Sequence, residues 1–448
     1  MATIHYARLD EFWRKEEKYA FLDEQHHVGN VAWQPITPDK RHTWLTEGLL
    51  DEFELFLPIG TQETKSGEAD NSIFSLYSRG VETTRDAWVY NFASQRLIEN
   101  VNVLLTNYNL EVDRWHSRTD KIIQLDDFVS NDDRKIKWSS RLKECLLRSQ
   151  KAEFSEQKIR SSVYRPFCRQ WVFFDEVLNH RRGLLPVMFP LAETKNVAIC
   201  VVNHSQMPFV CQLVDQMPCL DVGGRPGQCF PFYTYHEDGT NRRENITDWA
   251  LAAFRRQYVT QSQSLNLSIS KWDIFHYVYA LLHHPDYRAK YAANLRRELP
   301  RIPFVADFWG FAQAGAQLAA LHVGYEQQPE YRLDFVENPD QPLDWRVERM
   351  KLSKDKSSLV YNDFLTLAGI PPQVYDYKLG NRSALEWVID QYQVSTDKRS
   401  GIVNDPNQPD DPQAIVRLIG QVITVSLATV QIVNSLPPLA IQPPRRDA

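Results

Sequence analysis

The spacing of apolar residues changes along this chain, and each change marks a new kind of element. Thr3-Ile4-His5-Tyr6 reads as a strand, Leu9 to Glu24 as a charged helix, and Trp33 to Asp39 as a Pro-punctuated loop. Thr61 to Asn71 is polar and predicts an exposed loop, whereas Ile73 to Tyr77 alternates like a strand and Ala87 to Phe92 is an apolar run. Ser94 to Leu110 has helical spacing, and a second helix is expected near Leu125–Lys151. From Ser161 the texture turns to β. Tyr164 to Phe174 predicts a turn and a strand; Asn196–Val202, Phe209–Val214 and Phe230–Tyr235 predict further strands, with a turn cluster at Val222 to Gly227.

From Ile246 to His322 the period becomes helical. Thr247-Asp248 can cap a helix containing Trp249, Leu251 and Phe254. Ser270 can cap another, running to His283, with Ile274, Tyr277, Val278 and Leu281 on one face. Pro285 stops that helix; Asp286–Glu298 and Pro303–Leu321 predict two more. A Pro- and Asp-rich connector, Gln327 to Asp344, precedes short strands at Val347–Leu352 and Leu359–Tyr361 and helices near Arg382–Gln391 and Asp411–Asn434. The expected fold class is α+β, mixed and multi-domain: a small β-rich unit at 161–236, a mainly helical region at 246–326 and a mixed C-terminal segment. No internal repeat is visible.

Composition narrows the function classes. At 448 residues and 12% aromatic, the chain has ample core and is not a disordered polymer. Its six cysteines form no CxxC, which argues against a zinc ribbon or redox motif and fits cytosolic thiols. The first residues lack a basic and apolar leader pattern, so no signal peptide is expected. Ile415 to Leu436 is interrupted by Arg417, Gln421, Gln431 and Asn434, which predicts a buried amphipathic helix and no membrane span. A soluble, cytoplasmic protein is expected.

The net charge of −6 argues against non-specific coating of nucleic acid, yet it hides an asymmetry. Arg134 to Gly183 holds 13 Lys/Arg and five Asp/Glu, a net of +8 that leaves −14 on the rest. Trp138, Tyr164, Phe167, Trp171, Phe173 and Phe174 are interleaved with those charges. The pattern suits a phosphate-gripping surface. It suits equally a solvated helix face at Lys135–Arg160 followed by an ordinary strand core.

The motifs an enzyme would need are mostly absent. No GxxxxGK[ST] loop is present; Gly310 to Gly315 lies in a helical Ala/Gln stretch and reads as packing. A DNA amino-methyltransferase needs an [Asn/Asp]-Pro-Pro-aromatic loop to hold the flipped base and its amine. The Pro-Pro runs at Pro371, Pro437 and Pro443 lack those flanks, and Asn404-Asp-Pro-Asn407 lacks the second Pro and the aromatic. Neither Asp39 nor Asp286, each after a Pro, leads into a nuclease-like Asp/Glu-x-Lys strand. His26-His27 and His283-His284 lack the spacing of metal ligands and read as surface or cap residues. No GxSxG elbow supports a serine nucleophile.

An ordered series of strings resembles one family. Phe74…Gly80-Val-Glu-Thr-Thr-Arg-Asp-Ala-Trp-Val-Tyr-Asn-Phe92 is similar to a segment of type ISP restriction-modification enzymes. So are Tyr164-Arg-Pro-Phe…Trp171-Val-Phe-Phe, Arg181, Pro186-Val-Met-Phe-Pro190, Ile246-Thr-Asp-Trp-Ala and Asp273-Ile-Phe-His-Tyr-Val-Tyr-Ala-Leu-Leu-His-His-Pro285. Leu299-Pro-Arg-Ile-Pro-Phe304, Tyr361-Asn362, Gly369-Ile-Pro-Pro372, Asn381-Arg-Ser-Ala-Leu-Glu-Trp-Val388 and Thr396-Asp-Lys…Ser400-Gly-Ile-Val-Asn-Asp-Pro-Asn407 complete the series. The resemblance covers nearly the whole chain. It implies that residues 1–155 follow the methyltransferase catalytic loop and that 156–448 form a target recognition (specificity) domain. It further implies double-stranded DNA as a partner and an upstream methyltransferase/helicase polypeptide as another. No cofactor is expected in this chain; S-adenosylmethionine, ATP and Mg belong to the missing upstream part.

Within that reading the candidate DNA-binding residues are Arg165, Arg169, Arg181, Arg182, Arg225, Arg382, Lys398 and Arg399, with Asn381 beside Arg382; no catalytic or metal-binding residue is assigned. Each has a structural alternative. Arg165 before Pro166 can pair with a carboxylate, Arg85 with Asp86, and Asn404 and Asp405 can close an Asx turn. Trp171 reads as core before it reads as a stacking platform. Three other functions stay open: a protein-interaction subunit docking through the aromatic 246–322 region, an inactive remnant of such an enzyme, and a methyltransferase with unrecognised motifs.

Overall fold

The computed structural model describes residues 3–9, 13–39, 42 and 44–445. The contacts divide the chain into two units, Met1–Asp51 and Glu52–Ala448. In the first, the strand Ile4–Tyr6 pairs antiparallel with Gln34–Ile36. The helix expected at Leu9–Glu24 runs over Lys15–Gln25 and buries none of its residues. Positions 10–12 lie outside the described residues.

The second unit is mixed α and β. Thr61–Asn71, expected as a loop, contains a short helix, Gln62–Ser66; the Thr61 hydroxyl accepts from the Thr64 N–H at 3.0 Å and starts it. Ile73–Tyr77 forms no strand. Phe74 makes a single bridge to Ile246, and the Asn245 side chain accepts from the Leu76 N–H and the Ser75 hydroxyl, so a side chain satisfies backbone that a ladder would otherwise pair. Strand β1 (Tyr90–Asn91) leads into helix α1 (Ser94–Ser117), which buries Leu97, Val101, Leu104 and Tyr108 along one stripe. The helix expected over Leu125–Lys151 is two pieces, Leu125–Phe128 and α2 (Ser140–Leu147). The polar run Ser130–Asp133 breaks the period, and Ser139 caps the second piece.

Strands β2 (Ile159–Arg165) and β3 (Cys168–Phe173) form a hairpin around Pro166-Phe167, where Phe167 takes φ +55°. Strands β4 (Ala198–Val202), β5 (Val210–Val214), β6 (Met217–Pro218) and β7 (Gln228–Pro231) follow. They build two sheets, of order β1-β3-β2-β6 and β7-β4-β5. Every residue of β4 and β5 is buried, as expected of continuous apolar runs. Trp171 is a correction: it stays 39% exposed, because Gln170 and Val172 on either side of it turn inward.

The helical region opens with α3 (Asp248–Gln257), capped by Thr247, and α4 (Lys271–Leu281), capped by Ser270 with Asp273 returning the bond. The helix expected over Asp286–Glu298 breaks into Pro285–Lys290 and Ala292–Leu295. His284 caps the first, accepting from the Asp286 N–H at 3.2 Å. Helix α5 (Phe308–Val323) lies tightly on α4: a Cβ at Gly315 would stand 1.9 Å from the His276 carbonyl oxygen.

Strands β8 (Asp334–Glu337), β9 (Lys351–Leu352), β10 (Ser358–Val360) and β11 (Leu365–Ala368) form an antiparallel sheet of order β8-β11-β10-β9. Helices α6 (Ala384–Gln391) and α7 (Ala414–Asn434) pack beside it in one core with Leu359, Leu367 and Val374. Among the described residues α7 is the one helix long and apolar enough to cross a membrane; it buries Ile415, Leu418, Ile419, Val422, Ile423 and Val425 inside that core. A second core runs from Trp88, Leu97 and Tyr108 through Phe173 and Cys200 to Cys229. It joins residues on both sides of position 155.

Candidate nucleic-acid interface

The basic excess of Arg134–Gly183 does not survive folding as a bare patch. Lys143 pairs with Asp126 at 2.6 Å, Lys151 with Asp113 at 2.7 Å and Lys158 with Asp175 at 2.8 Å. Arg169 is held between Asp215 at 2.9 Å and Glu326 at 3.3 Å, over the Tyr325 ring. Burial works against its cation, yet Tyr325, Asp215 and Glu326 keep its pKa above the ordinary guanidinium value. Arg182 lies over Phe174 and meets Glu176 at 3.5 Å. Several of these carboxylates come from outside the segment, which no local charge count registers.

Among the described residues Arg165 forms no ion pair with a carboxylate. It stacks on Tyr164, 4.1 Å from the ring centroid, and donates to the Tyr164 carbonyl at 2.7 Å. Tyr164 in turn donates to Asp86 at 3.0 Å. Arg85 does not pair with Asp86 either. Its side chain is fully buried and donates to the carbonyls of Lys137 and Leu178 and to the Ser139 hydroxyl. Desolvation pulls its pKa down to about 10. Asp405 closes the expected Asx turn with the Asn407 N–H at 2.9 Å. Asn404 instead accepts from the Phe92 N–H and donates to Gln170, tying distant segments together.

Two of the candidates meet. Arg225, from the Gly-Gly-Arg-Pro-Gly turn, and Arg382, from the start of α6, line one cavity of about 220 Å³ with Asn381, His204, Gln206 and Trp387. The turn is held open by Gly224, at φ +88°, where a Cβ would stand 2.9 Å from the Trp387 ring. Arg382 is pre-set: it pairs with Asp390 at 2.6 Å and lies over Trp387, 4.9 Å from the ring centroid. Arg225 is exposed and makes no hydrogen bond or ion pair among the described residues. Guanidinium forks and side-chain amides are the groups that address guanine and adenine edges. His204 and Gln206 were not foreseen; the polar His204-Ser-Gln-Met-Pro turn between β4 and β5 was the available signal.

The remaining candidates lie elsewhere on the unit. Arg399 lines a second cavity, of about 400 Å³, with Lys137. Its walls also carry Glu82, Asp86, Asp133, Asp221 and Asp397, and the Asp221 carboxyl is pushed up by burial. That balance does not favour a phosphate. Lys398 is exposed on the same loop, and exposed Arg181 bridges to Glu82 through backbone. Leu220 and Asp221 border this cavity while Gly224 and Arg225 border the first, so one turn separates the two. Among the described residues no cluster of three or more His, Cys, Asp or Glu could hold a metal ion.

Residues 72–418 match the Type ISP C-terminal specificity domain family. No curated protein matches the chain. Among solved structures, the chain is similar to the nuclease-deletion mutant of the Type ISP restriction-modification enzyme LlaGI in complex with a DNA substrate mimic. There the identity is 33% and the TM-score 0.86, over 98% of this chain and 39% of that one. It is similar to DrdV in a DrdV–DNA complex at 35% identity and TM-score 0.84, over 98% of this chain and 44% of that one. It is similar, too, to the ATP-dependent Type ISP enzyme LlaBIII bound to DNA, at 26% identity and TM-score 0.84, over 98% and 28%. The chain thus spans less than half the length of each of these relatives.

Proposed function

This chain belongs to the Type ISP C-terminal specificity domain family, and from that premise we propose that it recognises a sequence in double-stranded DNA for a type ISP restriction-modification system. The single observation that carries the reading is the groove where Arg225, Asn381, Arg382, Gln206 and His204 converge. The unpaired Arg225 guanidinium and the Arg382 guanidinium, pre-set over Trp387, line one cavity with the Asn381 and Gln206 amides. Such a set presents forks and amides to base edges, while neighbouring cations hold the backbone register. The relatives of known structure were captured with DNA or a DNA mimic, which supports the same reading.

Residues 1–155 and 156–448 are assigned in this proposal to the segment after a methyltransferase catalytic loop and to the target recognition domain. An upstream methyltransferase/helicase polypeptide is the expected partner, and the cytoplasm the expected location. Arg165, Arg169, Arg181, Arg182, Lys398 and Arg399 have supporting roles in this reading, with exposed Arg181 and Lys398 available to phosphates. In this reading S-adenosylmethionine, ATP and Mg belong to the upstream part.

The deciding experiment is selection from a randomised duplex pool at graded salt, followed by sequencing. A recovered motif, lost or relaxed in Arg225→Ala, supports the proposal. Recovery of no motif, with the upstream polypeptide present, overturns it.

A further inference from the structure

The recognition groove has a neighbour across one hairpin. Lys378 pairs with Ser383 and Leu379 with Arg382, so this short ladder points Asn381 and Arg382 to the groove and Lys378 to a separate cavity. That cavity, of about 250 Å³, is lined by His283, Arg288, Asp376, Tyr377, Lys378 and Asn434 among others. Arg288, Asp376 and Lys378 are the charged residues in its wall. The Arg288 Nε donates to the Leu282 carbonyl at 2.5 Å, and its guanidinium carbon lies 5.7 Å from the Phe209 ring centroid.

Neither Arg288 nor Lys378 forms an ion pair among the described residues, and Asp376 at the same cavity pairs with neither. The titratable groups that act on the guanidinium are the Cys211 thiol, the Tyr377 and Tyr279 phenols and the His283 and His322 imidazoles, all neutral near pH 7. Burial accordingly holds the Arg288 pKa below the ordinary guanidinium value. A desolvated cation without a counter-charge is costly, and an oxyanion relieves that cost. With Nε anchored on backbone, the terminal N–H groups form a fork that matches two phosphate oxygens.

We propose that this cavity is a phosphate-binding site, with half-buried Arg288 as its anchor and exposed Lys378 as its rim cation. The phosphate comes either from the backbone of a duplex lying on the adjoining groove or from free inorganic phosphate. The first source rests on the DNA-recognition reading; the second does not.

The test uses the full chain and its Arg288→Gln and Lys378→Gln variants. Inorganic phosphate is titrated calorimetrically against chloride at matched ionic strength, and duplex binding is measured across a salt series. The expected results are phosphate binding lost in Arg288→Gln and weakened several-fold in Lys378→Gln, or a salt slope shallower by about 0.9 for each contact removed with base preference unchanged. Phosphate heat alone identifies the free ion, and a changed slope alone identifies the DNA backbone. If both variants match the wild type in both measurements, or the wild type binds no phosphate and its salt slope is insensitive to the variants, the proposal is overturned. Should Arg288→Gln fail to fold, exposed Lys378 decides. If the wild type binds no duplex, the DNA reading falls, and the phosphate titration still decides this site.

Discussion

Arg85 donates through its guanidinium to the Ser139 hydroxyl at 2.7 Å, binding the Thr83–Val89 turn to the residue that caps helix α2. Ser139 serves twice, accepting also from the Leu142 N–H at 3.3 Å. The same guanidinium donates to the carbonyls of Lys137 and Leu178, so one side chain gathers three distant stretches. Replacing Arg85 with Met strands those carbonyls in a dry interior, where each unsatisfied group costs about 1–3 kcal/mol. Arg85→Met is expected to lower stability by roughly 3 kcal/mol, read as a lower urea midpoint. An unchanged midpoint would refute the hub role.

Arg225 tests the recognition groove without touching the core. Its side chain is exposed and unpaired, so Arg225→Ala should leave the unfolding midpoint within about 0.5 kcal/mol. Loss of a bidentate base contact should cost about 1–3 kcal/mol at one base pair and relax preference there. Arg382→Ala should behave differently, because Arg382 is also tied to Asp390 and Trp387. A uniform loss across all sequences in Arg225→Ala would reassign it from base reading to phosphate contact.

Gly315 tests the contact between α4 and α5. A methyl there meets the His276 carbonyl, which is backbone and cannot rotate away. Gly315→Ala gains helix propensity of about 1 kcal/mol, yet the overlap should dominate and destabilise by about 1–3 kcal/mol net. Stabilisation, measured by thermal unfolding, would show that the helices are free to separate.

Acid sensitivity should arise in the helical region. His322 is buried between the hydroxyls of Tyr279, at 2.6 Å, and Thr429, at 2.9 Å. Burial, with Arg288 adding to it, lowers its pKa from 6.5 to about 3. The folded state therefore binds the proton more weakly than the unfolded state. Stability from this group is complete above pH 6.5 and falls as pH drops from 6.5 toward 3, by up to about 1.4 kcal/mol per unit. His283, also shifted well down by burial, acts in the same direction. Urea titrations at pH 7 and pH 5 should show the fall, and His322→Gln should reduce it; an equal fall in both proteins would clear His322.

Much of the secondary structure was readable because its causes are local. Thr247 and Ser270 cap the helices they were expected to cap, and the apolar runs at Ala198–Val202 and Val210–Val214 are buried strands. Where reading failed, a partner from far away intervened. Ile73–Tyr77 alternates like a strand, but its backbone is satisfied by Pro58, Ile59 and Asn245, and Trp171, expected in the core, lies on the exposed face of its strand. Half of the proposed recognition groove was legible too. Arg225 and Arg382 stood out as single residues, but nothing in their spacing showed that they share a cavity with His204 and Gln206.

The sequence by itself determined most of the element types, the family through its ordered strings, and the lack of motor and methyl-donor motifs, since each depends on residues close together in the chain. Only the tertiary structure decided which charges remain available. Ion pairing is set by distance in space, so Asp113, Asp126, Asp215 and Glu326 neutralise much of a segment that looks strongly basic in one dimension. Arg225 is exposed on its turn and, like Arg288, forms no ion pair among the described residues.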